Sequence, residues 1–461
     1  MNLKRLLSAA LVFASVASWA GELKYIFYYI GDGMGMGPVQ AAQNYNRTIR
    51  GNSDPLLMIQ FPVNSWSFTY SASSDITDSA AAGTALSCGT KTKNGMLGMD
   101  PDTTAVTSIA KILFDKGWGV GLTTSVSPSD ATPGAFYAHV PSRKMGYEIC
   151  CQMAESGYQF IGGSGLYGWE KDGKPTDIAE VYARNKVQIV QGPEGLKEID
   201  SDRVLVLNND DMKSSNIGYT IDSIAGRLTL PMLAEACLKQ LEKTSPDRFF
   251  MMVEGGNIDH ALHGNDGGAS IKEVLNFDQA LRVAYDFYLA HPDETLIVVT
   301  ADHDTGGLVL THPKYSGGGL RNIDYQKVSK EEFSAYCKAL LKSRMEYTWD
   351  DMKQYLADNL GLFGPIKVSE ENEKKLREKF DQTFQQRNSA DQKTLYASFN
   401  AFAVEVFKLL NKDSGINFAT TSHSGNPVPL FATGVGADEF RHLNNNCDIR
   451  NTMLKIVGQN K

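Results

Sequence analysis

The chain predicts an α/β fold: a central, mostly parallel sheet flanked by helices on both faces, with a helical insertion or cap before its last histidine motif. Three observations carry that prediction. Short, largely apolar runs recur along the chain, helix-period segments separate them, and the stretch from Pro313 to Phe418 has a different texture. Apolar runs of this length suit strands buried on both faces, which is how parallel sheets read, and the strand–helix–strand rhythm makes the connections crossovers.

The elements follow in order. Leu23 to Ile30 is a short β-rich run that stops at Gly31. Val106 to Lys116 reads as a helix, and Gly119 to Thr124 as the next strand. Arg248 to Val253 and Thr295 to Thr300 are further β-like runs. Between them Ile271, Val274, Leu275, Leu281 and Ala284 recur at helical spacing. From about Pro313 to Phe418 the chain is rich in Lys, Glu and Gln, with helical signatures such as Trp349-Asp350-Asp351 leading into Met352 to Leu360. That stretch offers almost no candidate catalytic residue and is expected to be an insertion. The sheet resumes with Val428 to Phe431.

The first twenty residues read as a secretory leader. Lys4 and Arg5 form a charged start, Leu6 to Val16 an apolar segment, and Ser18-Trp19-Ala20 a small-x-small cleavage site. The expectation is an exported protein, periplasmic or secreted, with residues 21–461 forming one domain that carries the insertion at about 313–418. No membrane anchor is expected, because the apolar run is too short to span and no cysteine sits at the cleavage site. The formal charge is −8, and −10 once the two basic residues of the leader are set aside. That balance argues against a nucleic-acid-binding surface and against adhesion to anionic lipid. The six cysteines, Cys88, Cys150, Cys151, Cys237, Cys337 and Cys447, form no CxxC and no Cys/His pattern. Disulfides are open in an exported chain, and their pairing cannot be read from spacing.

The ionisable residues gather at predicted strand ends, where open α/β sheets bind ligands. Gly31 to Gly37 follows the first strand and holds Asp32. As a dinucleotide loop it is a poor match, since the glycine spacing is irregular and Asp32 would face a pyrophosphate. It reads equally as a plain turn or as a turn that lets Asp32 reach a cation. Asp75 to Ala85 places Ser79 at the start of a small-residue helix, where free amides and the dipole favour a phosphoryl group. Taken alone, Ser79 reads first as an N-cap serine opening a tightly packed helix. No histidine neighbours it in sequence, so activation falls to a metal.

Glu254 to His263 follows the Arg248 to Val253 strand, and Asp259 and His263 stand four apart on one helix face. Asp302 and His303 close the Thr295 to Thr300 strand, and His423 lies in Thr421-Ser422-His423-Ser424-Gly425. Together, the imidazoles of His263, His303 and His423 with nearby carboxylates can hold two zinc-like ions, an arrangement suited to in-line displacement. Oxygen ligands such as Asp32, Thr132 and Glu254 suit a harder octahedral ion such as magnesium. One arginine would complete such a site by gripping phosphate oxygens with its fork.

GDGMG, TDSAAAGTA, DATP, VEGGNIDHALH, TADHDTGG and SHSG, in that order, resemble the ordered motifs of the alkaline phosphatase family. The match runs from about Tyr25 to Thr311 and resumes from Thr420 to Gly436. The resemblance implies a Zn2+/Mg2+-dependent phosphomonoesterase with two zinc ions and one magnesium. Asp259, His263 and His423 would hold the first zinc. Asp32, Asp302 and His303 would hold the second, beside the nucleophile Ser79. Asp32 would bridge to magnesium, held also by Thr132 and Glu254, with Asp130 orienting its waters. Arg143 resembles the phosphate-clamping arginine. His260 is implied to reach phosphate through water, and the positions of Asp130 and His260 are ones where family members differ, carrying Lys, His or Trp. The implied substrates are small-molecule phosphate monoesters, hydrolysed through a phosphoserine, and homodimers are common in the family.

Three rival readings make different demands. A phosphodiesterase, sulfatase or phosphomutase would share the metal site. The sulfatase needs a CxPxR-like setting that Cys88-Gly89-Thr90-Lys91-Thr92 does not supply. A nicotinamide oxidoreductase needs an acidic residue after a second strand, where Asn52-Ser53-Asp54-Pro55 reads as a turn. A non-catalytic adhesion protein leaves the strand-end clusters without a purpose.

Overall fold

The computed structural model describes residues 22–208, 212–312, 319–343 and 346–459. The leader reading lies outside the described residues, as do the first residues of the expected insertion, 313–318.

Nine strands form one sheet: β1 (Tyr25–Gly31), β2 (Val63–Ser67), β3 (Gly119–Thr124), β4 (Phe160–Gly162), β5 (Gln188–Gln191), β6 (Val204–Leu207), β7 (Phe249–Glu254), β8 (Thr295–Ala301) and β9 (Val428–Gly434). Their spatial order is β2-β9-β8-β1-β7-β3-β4-β6-β5. The pairs β8–β1, β1–β7, β7–β3, β3–β4, β4–β6 and β6–β5 are parallel. Only β9 runs the other way, antiparallel to both β8 and β2.

Both faces of the sheet are covered, as the apolar runs require. Phe27, Met251 and Ile297 face one helical layer, which includes Met36–Thr48, Leu230–Thr244 and Gly267–Ala290. Their chain neighbours Tyr28, Met252 and Val298 face the other, with Ser79–Cys88, Ile109–Asp115 and Asn446–Gln459. Period-two alternation in a strand that is apolar throughout leaves no side for water, so helices must close both faces.

The observed boundaries sit close to the expected ones. Gly119–Thr124 is the strand as read, and the predicted Val106–Lys116 helix begins only at Ile109. Ser108 caps it, its side chain accepting from Lys111 N at 3.2 Å. Serine bonding to a downstream amide competes with continuing the helix upstream.

Register explains why the polar motifs converge. Ile30 pairs with Glu254, Thr124 pairs with Glu254, and Gly31 pairs with Ala301, so β1, β3, β7 and β8 end on one line. Because β9 is reversed, its start reaches that same edge, with Leu430 opposite Thr300. The segment before β9, which holds His423, therefore meets the segments that follow the parallel strands.

Between 330 and 413 the described residues include four α-helices, Lys330–Ser343, Trp349–Leu360, Glu370–Phe380 and Ala401–Asp413, which enclose an apolar cluster of their own that includes Phe333, Trp349, Leu356 and Phe402. Thr348 and Asp351 form a capping box at the start of the second, an arrangement that contributes about 1 kcal/mol. Val309–Leu310 pairs with Ile416–Asn417, so the chain enters and leaves this helical unit side by side. All six cysteines are free, with Cys88, Cys150, Cys237 and Cys337 buried. Among the described residues no helix is long and apolar enough to cross a membrane.

Candidate active site

After β1 the chain turns sharply through Gly31–Gly37. Gly33 has φ +68°, a conformation that favours glycine, and its N–H donates to Asp302 Oδ1 at 3.0 Å. A Cβ at Gly33 would lie 2.6 Å from Asp259 Oδ1, and one at Gly35 only 1.8 Å from Asp304 Oδ1. The glycines thus let the backbone lie against carboxylates, which is the opposite of a pyrophosphate cradle. Asp32 is carried into the same group, its Oδ1 3.4 Å from His303 Nε2.

Ser79 is the first residue of its helix and not the cap. Asp78 caps it, accepting from Ala81 N at 3.0 Å through Oδ1, while its Oδ2 accepts from Gly95 N at 2.9 Å. The Ser79 hydroxyl is left free to face His303 Nε2 at 3.0 Å. A histidine absent from the local sequence is therefore present in space. The small residues of the helix admit close packing, with Gly83 against the backbone of Thr132.

Three imidazoles are held in one way. His263 Nδ1–H donates to Thr421 O at 2.6 Å, and His423 Nδ1–H donates to Thr77 O at 2.9 Å, so each presents a bare Nε2 inward. For His303 the orienting group is Thr305. Its hydroxyl donates to Asp259 Oδ1 at 2.5 Å, which leaves its oxygen to accept from His303 Nδ1–H at 3.2 Å. Fixing one ring nitrogen selects the tautomer whose other nitrogen can ligate. The short ladder Asp304–Thr305 against His423–Ser424 brings His423 onto His303, with ring centroids 3.6 Å apart.

The Nε2 atoms of His263 and His423 lie 3.2 Å apart, and His263 Nε2 is 3.4 Å from Asp259 Oδ2. Asp259, His303 and His423 form one group of candidate ligand atoms, and Asp32, Asp302 and His303 another, each with its atoms within 4.8 Å of one another. Thr132 Oγ1 reaches Asp302 Oδ2 at 3.4 Å, and Glu254 accepts from the Thr124 hydroxyl.

Three buried carboxylate oxygens in this group, Asp32 Oδ1, Asp259 Oδ2 and Glu254 Oε1, have no hydrogen-bond donor. Burying an uncompensated carboxylate costs several kcal/mol by order of magnitude, so such a group fits cations. The electrostatics agree. Burial, then Asp302, Asp259 and Glu254, push the Asp32 carboxyl well above its ordinary range. Burial raises Glu254 to about 8 and Asp302 to about 7, the latter helped by Asp259. Burial alone would raise Asp259 too, yet His263, His423 and His303 hold it low. His303 is driven down, first by burial and then by His423, which keeps its ring neutral and able to ligate.

Arg143, Asp130 and His260 form a separate wall. Arg143 Nη2 donates to Asp130 Oδ1 at 2.8 Å, and Nη1 lies 3.7 Å from Asp78 Oδ2. Asp130 also accepts from Ala131 N at 2.7 Å and from the Tyr167 hydroxyl at 3.0 Å, so its carboxylate is bound by these donors and joins neither ligand group. Burial works against its charge, but Arg143 prevails and lowers it. Burial takes His260 down to about 4, and its ring stacks on Tyr396 at 3.8 Å. Beside this wall an open cleft of about 850 Å3 is lined by Asp78, Asp130, Arg143, Tyr167, Lys171 and Tyr396.

Sequence reasoning passed over Asp78, Thr305, Thr124, Tyr167 and Tyr396. Asp78 and Thr305 stand inside the motifs already read and could have been found there by asking what caps the helix and what orients His303. Tyr396 has no local signal at all. It comes from the helical stretch in which almost no candidate catalytic residue was expected.

A family profile described as alkaline phosphatase matches residues 23–160 and 167–459. Alkaline phosphatase 4 of Bacillus subtilis (strain 168) is 27% identical over 453 residues, covering 95% of this chain and 90% of its own. Alkaline phosphatase 3 of the same organism is 29% identical over 454 residues, with the same coverage. The solved structure of a cold-active alkaline phosphatase from a psychrophilic Shewanella sp. superposes with a TM-score of 0.79 at 25% identity, covering 94% of this chain and 99% of the other. Fold and site together define an enzyme of the metal-dependent phosphoric ester hydrolase class. The chain belongs to the alkaline phosphatase family, whose reaction is the hydrolysis of phosphate monoesters.

Proposed function

We propose that this enzyme hydrolyses small phosphate monoesters through a phosphoserine on Ser79, with two zinc ions and one magnesium in the strand-end cluster. The observation that carries the reading is the set of buried, donor-less carboxylate oxygens and inward Nε2 atoms, of which His303 Nε2 meets the Ser79 hydroxyl at 3.0 Å. Asp259, His263 and His423 would hold one zinc, Asp32, Asp302 and His303 the other, and Asp32, Thr132 and Glu254 the magnesium. When bound, the ions supply Lewis acidity at the serine and leaving oxygens and neutralise charge on the phosphoryl group.

The chain's own groups do the rest. Ser79 Oγ attacks phosphorus as the ester oxygen departs with the alcohol, and water then cleaves the phosphoserine, so two in-line inversions retain configuration. The first amides of the Ser79–Cys88 helix that Asp78 does not cap, and the Arg143 guanidinium, would face the non-bridging oxygens, where most of the catalytic stabilisation of phosphoryl transfer is needed. Asp78 and Asp130 keep Arg143 extended towards that position. His260 reaches phosphate through water. Asp130, already committed to Arg143, Ala131 and Tyr167, acts on the magnesium site only through ordered water. The helical unit is an insertion on a single sheet domain, export rests on the leader at residues 1–20, and a homodimer rests on family habit.

The test is an acid-quenched incubation with labelled phosphate ester. A phosphoserine should be trapped in the wild type and absent from Ser79→Ala, while Ser79→Ala keeps its metal content. The same preparation should cleave p-nitrophenyl phosphate faster than bis(p-nitrophenyl) phosphate. The reverse order would make it a phosphodiesterase.

A further inference from the structure

Tyr396, with its neighbour Leu395, brings the helical stretch to the cleft of the candidate active site. It lies in the turn between Gln392–Lys393 and Ser398–Phe399, a small antiparallel ladder closed by Thr394 N donating to Ala397 O at 2.8 Å. The ladder is rooted. Lys338 pairs with Asp391 at 3.0 Å, Phe399 is buried, and Lys330 Nζ lies 4.6 Å over its ring. Phe399 also abuts Gly264, directly after the Gly256–His263 helix, so the turn is seated on the element that carries Asp259 and His263.

From that seat the Tyr396 ring stacks on His260 at 3.8 Å and meets His263 edge-on at 5.4 Å. Its hydroxyl is 3.2 Å from Arg143 Nη2. A guanidinium nitrogen only donates, so the phenol oxygen must be the acceptor there. Its own hydrogen is then free for a second partner. Nη2 already gives its other hydrogen to Asp130 Oδ1. The phenol thus stands beside the Arg143 fork with one unspent donor, between that fork and the histidine cluster.

We propose that Tyr396 is a phosphate-binding residue: its hydroxyl accepts from Arg143 and donates to a non-bridging oxygen of the bound phosphoryl group, so that the insertion completes the phosphate site. This rests on the phosphomonoesterase reading above. No bond to substrate forms or breaks at Tyr396. Its hydrogen bond to a dianion makes the site favour a group with several charged oxygens.

The experiment uses the full-length, zinc- and magnesium-loaded protein. Tyr396→Phe removes the hydroxyl and keeps the ring on His260, and Tyr396→Ala removes both. Inorganic phosphate affinity is measured by calorimetry, alongside kcat and KM for p-nitrophenyl phosphate, metal content and Tm. A hydrogen bond to a charged acceptor corresponds to about 10- to 100-fold. Tyr396→Phe should therefore weaken phosphate binding and kcat/KM by at least about 10-fold, with metal content and Tm unchanged. Combined with Arg143→Ala it should cost less than the two single losses multiplied, because both groups serve one oxygen set. Phosphate affinity within twofold of wild type in Tyr396→Phe overturns the inference. So does tighter binding, which would make Tyr396 a competitor for Arg143. A wild type that neither binds phosphate nor cleaves the monoester overturns the functional reading and this inference with it.

Discussion

The Ser79 hydroxyl lies 3.0 Å from His303 Nε2. That geometry alone would suit a serine–histidine dyad, but the same nitrogen is 3.4 Å from Asp32 Oδ1 and 3.2 Å from Asp302 Oδ2. A dyad histidine needs a partner at Nδ1 that stabilises the protonated ring. Here the Nδ1 partner is the neutral Thr305 hydroxyl, and burial disfavours the charged ring. This surrounding supports the proposed role of His303 as a metal ligand and not as a base. Chelation should accordingly remove activity by more than about 10,000-fold, beyond the upper end of the range for general-base loss. Zinc with magnesium should restore it. Full turnover by a chelated, metal-free sample would instead assign His303 as the base.

Thr305 joins the two ligand groups through one hydroxyl, donating to Asp259 and accepting from His303. Thr305→Val keeps the shape and removes both hydrogen bonds. Losing a group that orients a ligand costs about 10- to 100-fold in metal affinity. Competition with a chromophoric chelator should show zinc affinity falling by at least about 10-fold, and Thr305→Ser should recover most of it.

At Gly33, inside the site, conformation and surroundings both forbid a side chain. The left-handed backbone at φ +68° costs a substituted residue about 1–2 kcal/mol. A new Cβ would also press on Asp259 Oδ1. Gly51 shares φ +68° but has nothing within 4 Å of its Cβ position. Gly51→Ala should therefore lower Tm modestly and leave zinc affinity intact. Gly33→Ala should lose both stability and zinc binding, as read by thermal melts and metal titration.

Glu273 is buried on the Gly267–Ala290 helix, accepting from Thr220 N at 2.6 Å, and burial pushes its carboxyl up to about 7. A raised acid favours the folded state while protonated. Its contribution is complete below its unfolded value near 4.5 and is lost as pH rises through about 7. Glu273→Gln keeps the acceptor and removes the charge. Relative to wild type, its denaturation midpoint should be unchanged or lower at pH 5 and higher at pH 9. A difference independent of pH would show that Glu273 does not titrate in the folded protein.

Much of the fold was legible because its central strands are apolar on both faces. β1, β3, β7 and β8 could be read from composition alone, and each reading fell within two residues of the observed strand. The short strands β4, β5 and β6 carried too few residues to stand out from turns. The reversal of β9 was not legible, since pairing direction is set by the chain's route and not by strand composition. The site was legible as a set of residue types at strand ends, and Asp130, Arg143 and His260 were named through the family resemblance, but how these three pack against one another and against Tyr396 was not legible. Asp130 binds Arg143, and that pair closes on Tyr396 from the helical stretch before β9.

The sequence by itself determined the inventory: which carboxylates and imidazoles stand just past apolar strands, and where a serine opens a helix. Tertiary structure alone decided the neighbours. It placed His303 against Ser79 across 224 residues and Tyr396 against Arg143 across 253. Local periodicity reports only which face a residue takes on its own element. Which elements lie side by side follows from strand order and burial of the whole sheet, and there Ser79 gained its histidine and Arg143 its tyrosine.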